Sequence, residues 1–392
     1  MFKYLFKRDT IFATIMVFVL MGLLSLIPLN THVLDPIKLA LQDFDYNDMA
    51  YSKFGKSSHT GASERIVVVN IEDAGRAEIA EMLRMITAAE PLVTGVDVLF
   101  SQPKDPASDS LLSSIVAGNP TVVLAYQLTT NHKAARPEGF LYEAARSKGF
   151  ANFVGEAGGT IRHFPGQYHA GDSSFKSFSA AILEIANPGQ YASFIKRKEK
   201  TTQINYSRAA DKFATISGRG LLNGQAGAKF LKGKIVLLGY VPTDPYNVED
   251  KHFTPLNQKA VGKSIPDMAG VYIHANIIEM MIAGNFVNKW PVWLVWTLAV
   301  LLCWLHMSLF IRYFLDKHIW FHLVAKMAQL ISAVLIVYLG LLFYYKWDIK
   351  INLTPSFVAI ILAVDVLYFY EALVAWLHKK FGFHSLFVHH AH

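Results

Sequence analysis

The chain has 392 residues, of which 53% are hydrophobic and 17% charged, with 37 Lys and Arg against 30 Asp and Glu. A soluble globular protein carries about 25% charged residues, so this balance excludes a purely soluble enzyme and a disordered scaffold. It argues against nucleic acid as a partner too: residues 30–290 hold 27 basic and 25 acidic side chains, and the remaining excess sits in apolar blocks and their flanks, where basic residues mark cytoplasmic anchoring.

The first predicted element in chain order is Ile11–Leu29, 19 residues without a charge, behind Lys3, Lys7 and Arg8. That length spans the hydrocarbon layer, and Ser25–His32 offers no small-x-small cleavage site, so the block is expected to be an uncleaved anchor, transmembrane helix 1 over 11–29. Residues 1–10 are expected in the cytoplasm. Pro36–Phe54 mixes Leu39, Leu41, Phe44 and Met49 with Asp43, Asp45 and Asp48 and reads as an amphipathic stalk.

Arg65–Ile71 is a continuous β-branched run, the pattern of a strand buried on both faces. Ala77–Ala89 follows as a helix with Ile79, Met82, Leu83 and Ile86 on one stripe. Thr94–Phe100 reads as a strand, Asp109–Ala117 as a helix and Thr121–Tyr126 as a third strand. Strand and helix in alternation predict right-handed crossovers and a mainly parallel α/β sheet. Gln203–Tyr206 and Lys234–Tyr240 are expected to add strands, and Val271–Ala283 a helix.

Three further apolar blocks follow, at 291–311, 327–345 and 353–377. Arg312, Lys317 and Lys326 lie between the first two of these, Lys379 and Lys380 after the last, and Trp290, Trp293, Trp320, Trp347 and Trp376 near the ends. The positive-inside rule and the aromatic belt then place both termini in the cytoplasm and residues 30–290 outside it. The chain is expected in a cytoplasmic (inner) membrane, with 30–290 periplasmic if the cell is Gram-negative and 378–392 a disordered, His-rich cytoplasmic tail holding His378, His384, His389, His390 and His392. The single cysteine, Cys303, allows no intrachain disulfide and no Cys-based zinc site.

The motif order resembles the extracellular sensory domain found beside cyclases and histidine kinases, the CHASE family of the second type. The matching residues are Ile66-Val-Val-Val-Asn-Ile-Glu-Asp73, Gly95-Val-Asp97-Val-Leu-Phe100 with Asp109-Ser-Leu-Leu, and Gly149-Phe-Ala-Asn152. They continue through Arg162-His-Phe-Pro165, Lys232–Gly239, Thr254-Pro255-Leu256 and Gly270-Val-Tyr-Ile-His274-Ala-Asn276. The resemblance covers residues 36–285, and one span before the domain with three after it is similar to the family arrangement. The chain departs from the family pattern where Asp73 is followed by Ala74-Gly75, and where Gly155-Glu156-Ala157-Gly158-Gly159 replaces an Asp-x-Asp-Gly segment. Relatives commonly append a kinase or cyclase after the last span; about fifteen residues follow Leu377 here, and no fused output domain is expected.

Asp73 and Asp97 fall at the ends of adjacent-looking strands, where open α/β sheets bind ligands, with helix capping by Asp73 and a buried donor for Asp97 as the structural alternatives. Arg162, Asp244, Asp250, His274 and Asn276 complete the candidate ligand-binding set, on segments where rigid sheets present loop residues. His163 and His252 share those segments, and Lys196–Lys200 forms a basic patch. Neither G-x-S-x-G, H-E-x-x-H, a P-loop nor G-x-G-x-x-G occurs, so no catalytic residue, metal site or cofactor is expected. In the spans, His306 and Asp365 lie at depths that let them meet, and Glu371 at a level within reach of Lys326 or Arg312, as interhelical glue or as a switch.

The expected function is a membrane sensor-type or accessory subunit whose outer domain binds a small ligand or an envelope protein. It communicates in trans with a separate membrane or envelope partner, with homo-oligomerisation possible. A docking subunit of an envelope complex, and more remotely a transport component using Asp365, are the alternatives.

Overall fold

Two units divide the chain, Ala40–Val287 and a second made of Met1–Leu39 with Asn288–His392. The computed structural model describes residues 2–26, 45–57, 60–131, 134–154, 159–225, 228–244, 246–258, 265–316 and 318–388. Its principal elements in chain order are α1 (Arg8–Ser25), β1 (Ile66–Asn70), α2 (Arg76–Ala88), β2 (Val93–Asp97), α3 (Pro106–Gly118), β3 (Val122–Asn131), β4 (Ala134–Glu138) and β5 (Ser147–Phe150). They continue with α4 (Phe178–Ala186), β6 (Ala214–Ser217), β7 (Ile235–Gly239), α5 (Gly270–Ala283), α6 (Val292–Asp316), α7 (Phe321–Trp347) and α8 (Thr354–Phe381).

Within Ala40–Val287 the strands build one sheet in the order β6-β1-β7-β2-β3. Every pair along that path is parallel. Parallel β5 extends the first half of β3, and antiparallel β4 its second half. One face is formed by Val67, Val69, Val96, Leu124, Val236 and Leu238, packed under Met82, Leu83 and Ile86 of α2 and Leu112 and Val116 of α3. The other face carries α4 and α5. There Gly95 is required, because a Cβ would stand 2.6 Å from Ile182 Cδ1 and 2.8 Å from Phe178 Cζ. Helices on both faces explain why β1 and β7 read as unbroken apolar runs rather than alternating ones.

Three expectations change here. The strands that carry Asp73 and Asp97 are not neighbours: β7 lies between them, with Gly239 in register with Asn70 on one side and Asp97 on the other. Gln203–Tyr206 adds nothing to the main sheet; only Thr202–Gln203 is a strand, paired with His163–Phe164. The described part of the stalk, residues 45–54, is folded in with the domain, since Ala50 and Tyr51 are buried and Asp48 is ion-paired; residues 36–44 lie outside the described residues.

In the second unit, α1, α6, α7 and α8 are each long and apolar enough to cross a membrane. Ala13 and Val17 of α1 pack with Cys303, Met307 and Phe310 of α6 and with Ala359, Ala363 and Leu367 of α8. Small residues at these contacts let helices approach closely. Leu330, Ile331, Val334 and Leu335 leave a broad face of α7 exposed. The segment after α8 is not disordered up to residue 388: Ser385 and Phe387 are buried, and Ser385 Oγ and the Leu386 N–H donate to Asp9, as does Tyr370 O–H at 2.9 Å. His389, His390 and His392 lie outside the described residues.

Candidate functional site

The carboxyl edge of the sheet is set by three residues in line, Asn70, Gly239 and Asp97. Asn70 ties down the chain leaving β7, donating to Val241 O and accepting from Val241 N–H, both at 2.8 Å. Gly239 has no side chain, and a Cβ there would come within 3.1 Å of Val271; its absence lets the first turn of α5 approach the edge. His274, one turn further along α5, thereby reaches the same place as Asp97.

Above this edge opens a cavity of about 670 Å³, lined by Asp73, Asp97, Asp250 and His274 among others. These four of the seven expected ligand residues converge, although they lie on four separate segments. Asp97 is partly buried and has no hydrogen-bond or ion-pair partner among the described residues. Burial, and after it the Asp250 carboxylate, push its carboxyl up to about 8. His274 is buried, with Nδ1 held 2.9 Å from Ser179 Oγ and its ring 4.5 Å from that of Phe153. Burial, and after it His252, hold its imidazole down at about 3, so it is neutral. Asp250 sits at φ +53°, a backbone region that costs a non-glycine residue energy. It accepts the Gly270 N–H at the start of α5 through its carbonyl, at 3.0 Å.

Asp73 is the most open member: its side chain is 74% exposed and pairs with Arg219 at 2.5 Å. It does not cap α2, where Gly75 is the cap residue and its N–H donates to Glu78 of the first turn at 2.8 Å. The remaining three expected residues lie elsewhere and are satisfied. Arg162 grips Asp48 through Nε at 3.0 Å and Nη2 at 2.6 Å. Asn276 is fully buried and bonds both the N–H and the C=O of Arg208 at 3.0 Å. Asp244 closes a turn by accepting from Tyr246 N–H at 2.9 Å.

Cavity residues absent from the expected ligand set include Glu72, Glu249, Phe153 and Tyr240. Glu72 adjoins Asp73 in a family motif and sits at φ +55°, which a strand-end acid hints at; Glu249 carries no comparable signal. The Lys196–Lys200 patch rims a second cavity of about 870 Å³, whose lining shares Asn152 and Phe153 with the first. There Arg197 lies over the Phe286 ring at 4.4 Å and pairs with Glu199 at 3.0 Å. Among the described residues, no group of three or more His, Cys, Asp or Glu is arranged to hold a metal ion.

In the helix unit His306 and Asp365 do not meet. His306 bonds Leu302 O through Nδ1 at 2.8 Å and Ser332 Oγ of α7 through Nε2 at 2.9 Å. Asp365 is exposed on α8. Lys326 is exposed on α7 between two contacts to α8, Gln329 Nε2 to Ile360 O at 2.9 Å and His322 Nε2 to Tyr368 O–H at 3.1 Å. Glu371 pairs with neither Lys326 nor Arg312 among the described residues. The physical reason is rotation: equal depth along two helices does not fix which way each side chain faces about its own axis.

The CHASE2 domain family model matches residues 13–311. The chain belongs to the CHASE2 family. With four helices able to cross a membrane, it is a sensor-like multi-pass membrane protein. No curated protein and no solved structure matches it at a level that establishes a relationship.

Proposed function

We propose that this CHASE2 protein is a sensor without catalysis of its own. Its α/β domain binds a small extracytoplasmic molecule in the cavity above the sheet, and a separate membrane or envelope protein reads the result. The observation that carries the reading is the convergence of Asp73, Asp97, Asp250 and His274 on one cavity at the carboxyl edge, where open α/β sheets hold their ligands. The orientation, both termini in the cytoplasm and the domain outside it in the inner membrane, rests on Lys3, Lys7, Arg8, Arg312, Lys326, Lys379 and Lys380.

Support for a partner in the membrane comes from Asp365. An aspartate well inside a spanning helix costs about 2.5–3.5 kcal/mol on insertion scales and is normally covered by protein, yet Asp365 is exposed on α8. A second helix laid over that face relieves the cost.

Two measurements test the reading. Thermal unfolding of the full-length protein in mild detergent, screened against small metabolites, is expected to find a stabilising ligand whose effect Ala151→Phe, which narrows the cavity, removes. Purification from native membranes is expected to bring down a second chain in stoichiometric amount, and Asp365→Leu to reduce its recovery. Purification of the protein alone under both conditions sinks the partner; ligand effects untouched by Ala151→Phe sink the cavity.

A further inference from the structure

The charge of the cavity wall is one-sided. Glu72, Asp73, Asp97, Glu249 and Asp250 line it, and among the described residues no lysine or arginine does. Two of these acids are engaged from outside: Arg219 reaches Asp73 at 2.5 Å and Glu72 at 3.7 Å, and Ser217 Oγ donates to Glu72 at 2.6 Å. Asp97 and Glu249 have no cationic partner among the described residues, and Asp250 has only His252 at 3.9 Å. A second and independent group points the same way. His274 is 3% exposed, Ser179 occupies its Nδ1, and Nε2 is left as the unpartnered ring nitrogen of a side chain that lines the cavity.

Val98, Leu99, Phe153 and Tyr240 give the wall its apolar and aromatic part, beside the neutral amides of Gln127 and Asn152. At about 670 Å³ the space is far larger than a bare ion fills, a water taking about 30 Å³ of liquid volume. Carboxylates that face an apolar wall without counter-charge suit a positively charged nitrogen group on an organic body. Charged hydrogen bonds to the acids are roughly twice as strong as neutral ones, and aromatic faces attract cations as well.

Resting on the sensor reading above, we propose that the ligand is a small organic cation, a primary amine or guanidinium on an apolar or aromatic body. Asp97 and Asp250 are its counter-charges, Phe153 and Tyr240 its packing wall, and His274 Nε2 accepts a ligand N–H when Nδ1 carries the ring proton. The first consequence is a proton count. Burial, and after it Asp250, keep Asp97 protonated at neutral pH, so binding of a cation expels that proton, and affinity rises with pH up to about 8. The titratable groups that face Asp97 across the cavity are Glu72 and Asp73 after β1, Tyr240 after β7, Glu249, Asp250 and His252 on the segment before α5, and His274 on α5. His274 is already neutral and contributes no proton over that range.

The test is isothermal titration of the full-length protein in detergent with phenylethylamine, 1,4-diaminobutane and agmatine, beside citrate, glucose and calcium. At least one of the three organic cations is expected to bind, with release of a proton seen as a heat that varies with the buffer's ionisation enthalpy. Its Kd is expected to tighten about tenfold from pH 6.5 to 7.5. Asp97→Asn is expected to weaken it tenfold or more and to abolish the proton release, whereas Glu81→Gln, on α2 and outside the cavity, changes it less than threefold. Melting curves establish that each variant is folded. Binding of citrate or glucose in the cavity, blocked by Ala151→Phe and unaccompanied by binding of the organic cations, overturns the cation but leaves the sensor reading standing. Binding of calcium alone overturns it in favour of a metal. If none of the six probes binds, and a metabolite screen likewise finds no ligand sensitive to Ala151→Phe, both the cation and the sensor reading fall.

Discussion

The two ends of the central sheet treat acidic side chains in opposite ways. At the amino end Glu279, 3% exposed, is surrounded by donors: Ser63 Oγ hydrogen-bonds it, and Arg65 and Arg208 stand 3.5 and 3.4 Å away. At the carboxyl end Asp97 has none of these and faces an open cavity. An acid of helix α5 at one end of the sheet is part of the fold, and the acid that ends β2 at the other is left without counter-charge among the described residues. A carboxylate whose partners are supplied by the chain reports on structure, and one left without partners reports on what comes from outside.

The largest expected effect breaks the amino end. Glu279→Ala removes the acid while leaving Arg208 only 16% exposed, and unfolding is expected at about 3–5 kcal/mol less than wild type, the usual cost of breaking a buried pair. A loss below 1 kcal/mol in denaturant titrations would remove the contrast. At the carboxyl end the sign is reversed. Asp97→Asn is expected to stabilise the protein at pH 8, on the order of 2 kcal/mol, at about 1.4 kcal/mol per pH unit of displacement less the cost of burying an amide.

The pH profile sharpens the same contrast. The Asp97 carboxyl is raised to about 8 from 3.8, so the unfolded chain ionises first and stability falls as pH rises from about 4 to 8. His274 is lowered to about 3 from 6.5, so stability falls as pH drops from 6.5 to 3. The two slopes oppose one another between 4 and 6.5. Their contribution to a stability curve is therefore a plateau there, a decline toward pH 8 and a decline below 4. In Asp97→Asn the alkaline decline is expected to vanish and the plateau to tilt, with stability rising from pH 4 to 6.5; melting temperatures across the range would show it, and a curve unchanged by the substitution would mean that the Asp97 carboxyl is not displaced as described.

Two smaller effects bound the set. Ser332→Ala, which leaves His306 Nε2 without its partner, is expected to cost about 0.6 kcal/mol, the mean for an interhelical bond in a membrane. Asp73→Ala should change stability by less than 0.5 kcal/mol, because its pair with Arg219 lies in solvent.

Much of the sheet is legible in the amino-acid sequence. β1, β2, β7 and α2 are apolar runs or stripes whose period identifies them, and parallel pairing follows from their alternation with helices. Strand order is not legible, because nothing local in Ile235–Gly239 says that it enters between β1 and β2. The site is half legible. Asp97 and His274 stand in motifs beside identifiable elements. Glu249 sits in a segment with no period to read, Tyr240 ends an expected strand with nothing to mark it as a cavity residue, and Arg162 and Asn276 look like ligand residues until Asp48 and Arg208 are seen to occupy them. Asp9 gives little signal as one charge beside a cationic anchor, although an acid in the first turn of a helix complements the helix dipole.

The strand order has a consequence for the making of the molecule. β1 pairs only with β6 and β7, at Ala214–Ser217 and Ile235–Gly239. A chain synthesised from its N-terminus therefore exposes Ile66–Val69, four β-branched residues, with both strand edges open until about 150 residues more have followed and one still open until about 170 have. Long-range parallel pairing is slow, and unpaired apolar strands aggregate. The centre is thus the last part of the main sheet to close, and Ile66–Asn70 is the segment that a chaperone has most reason to hold.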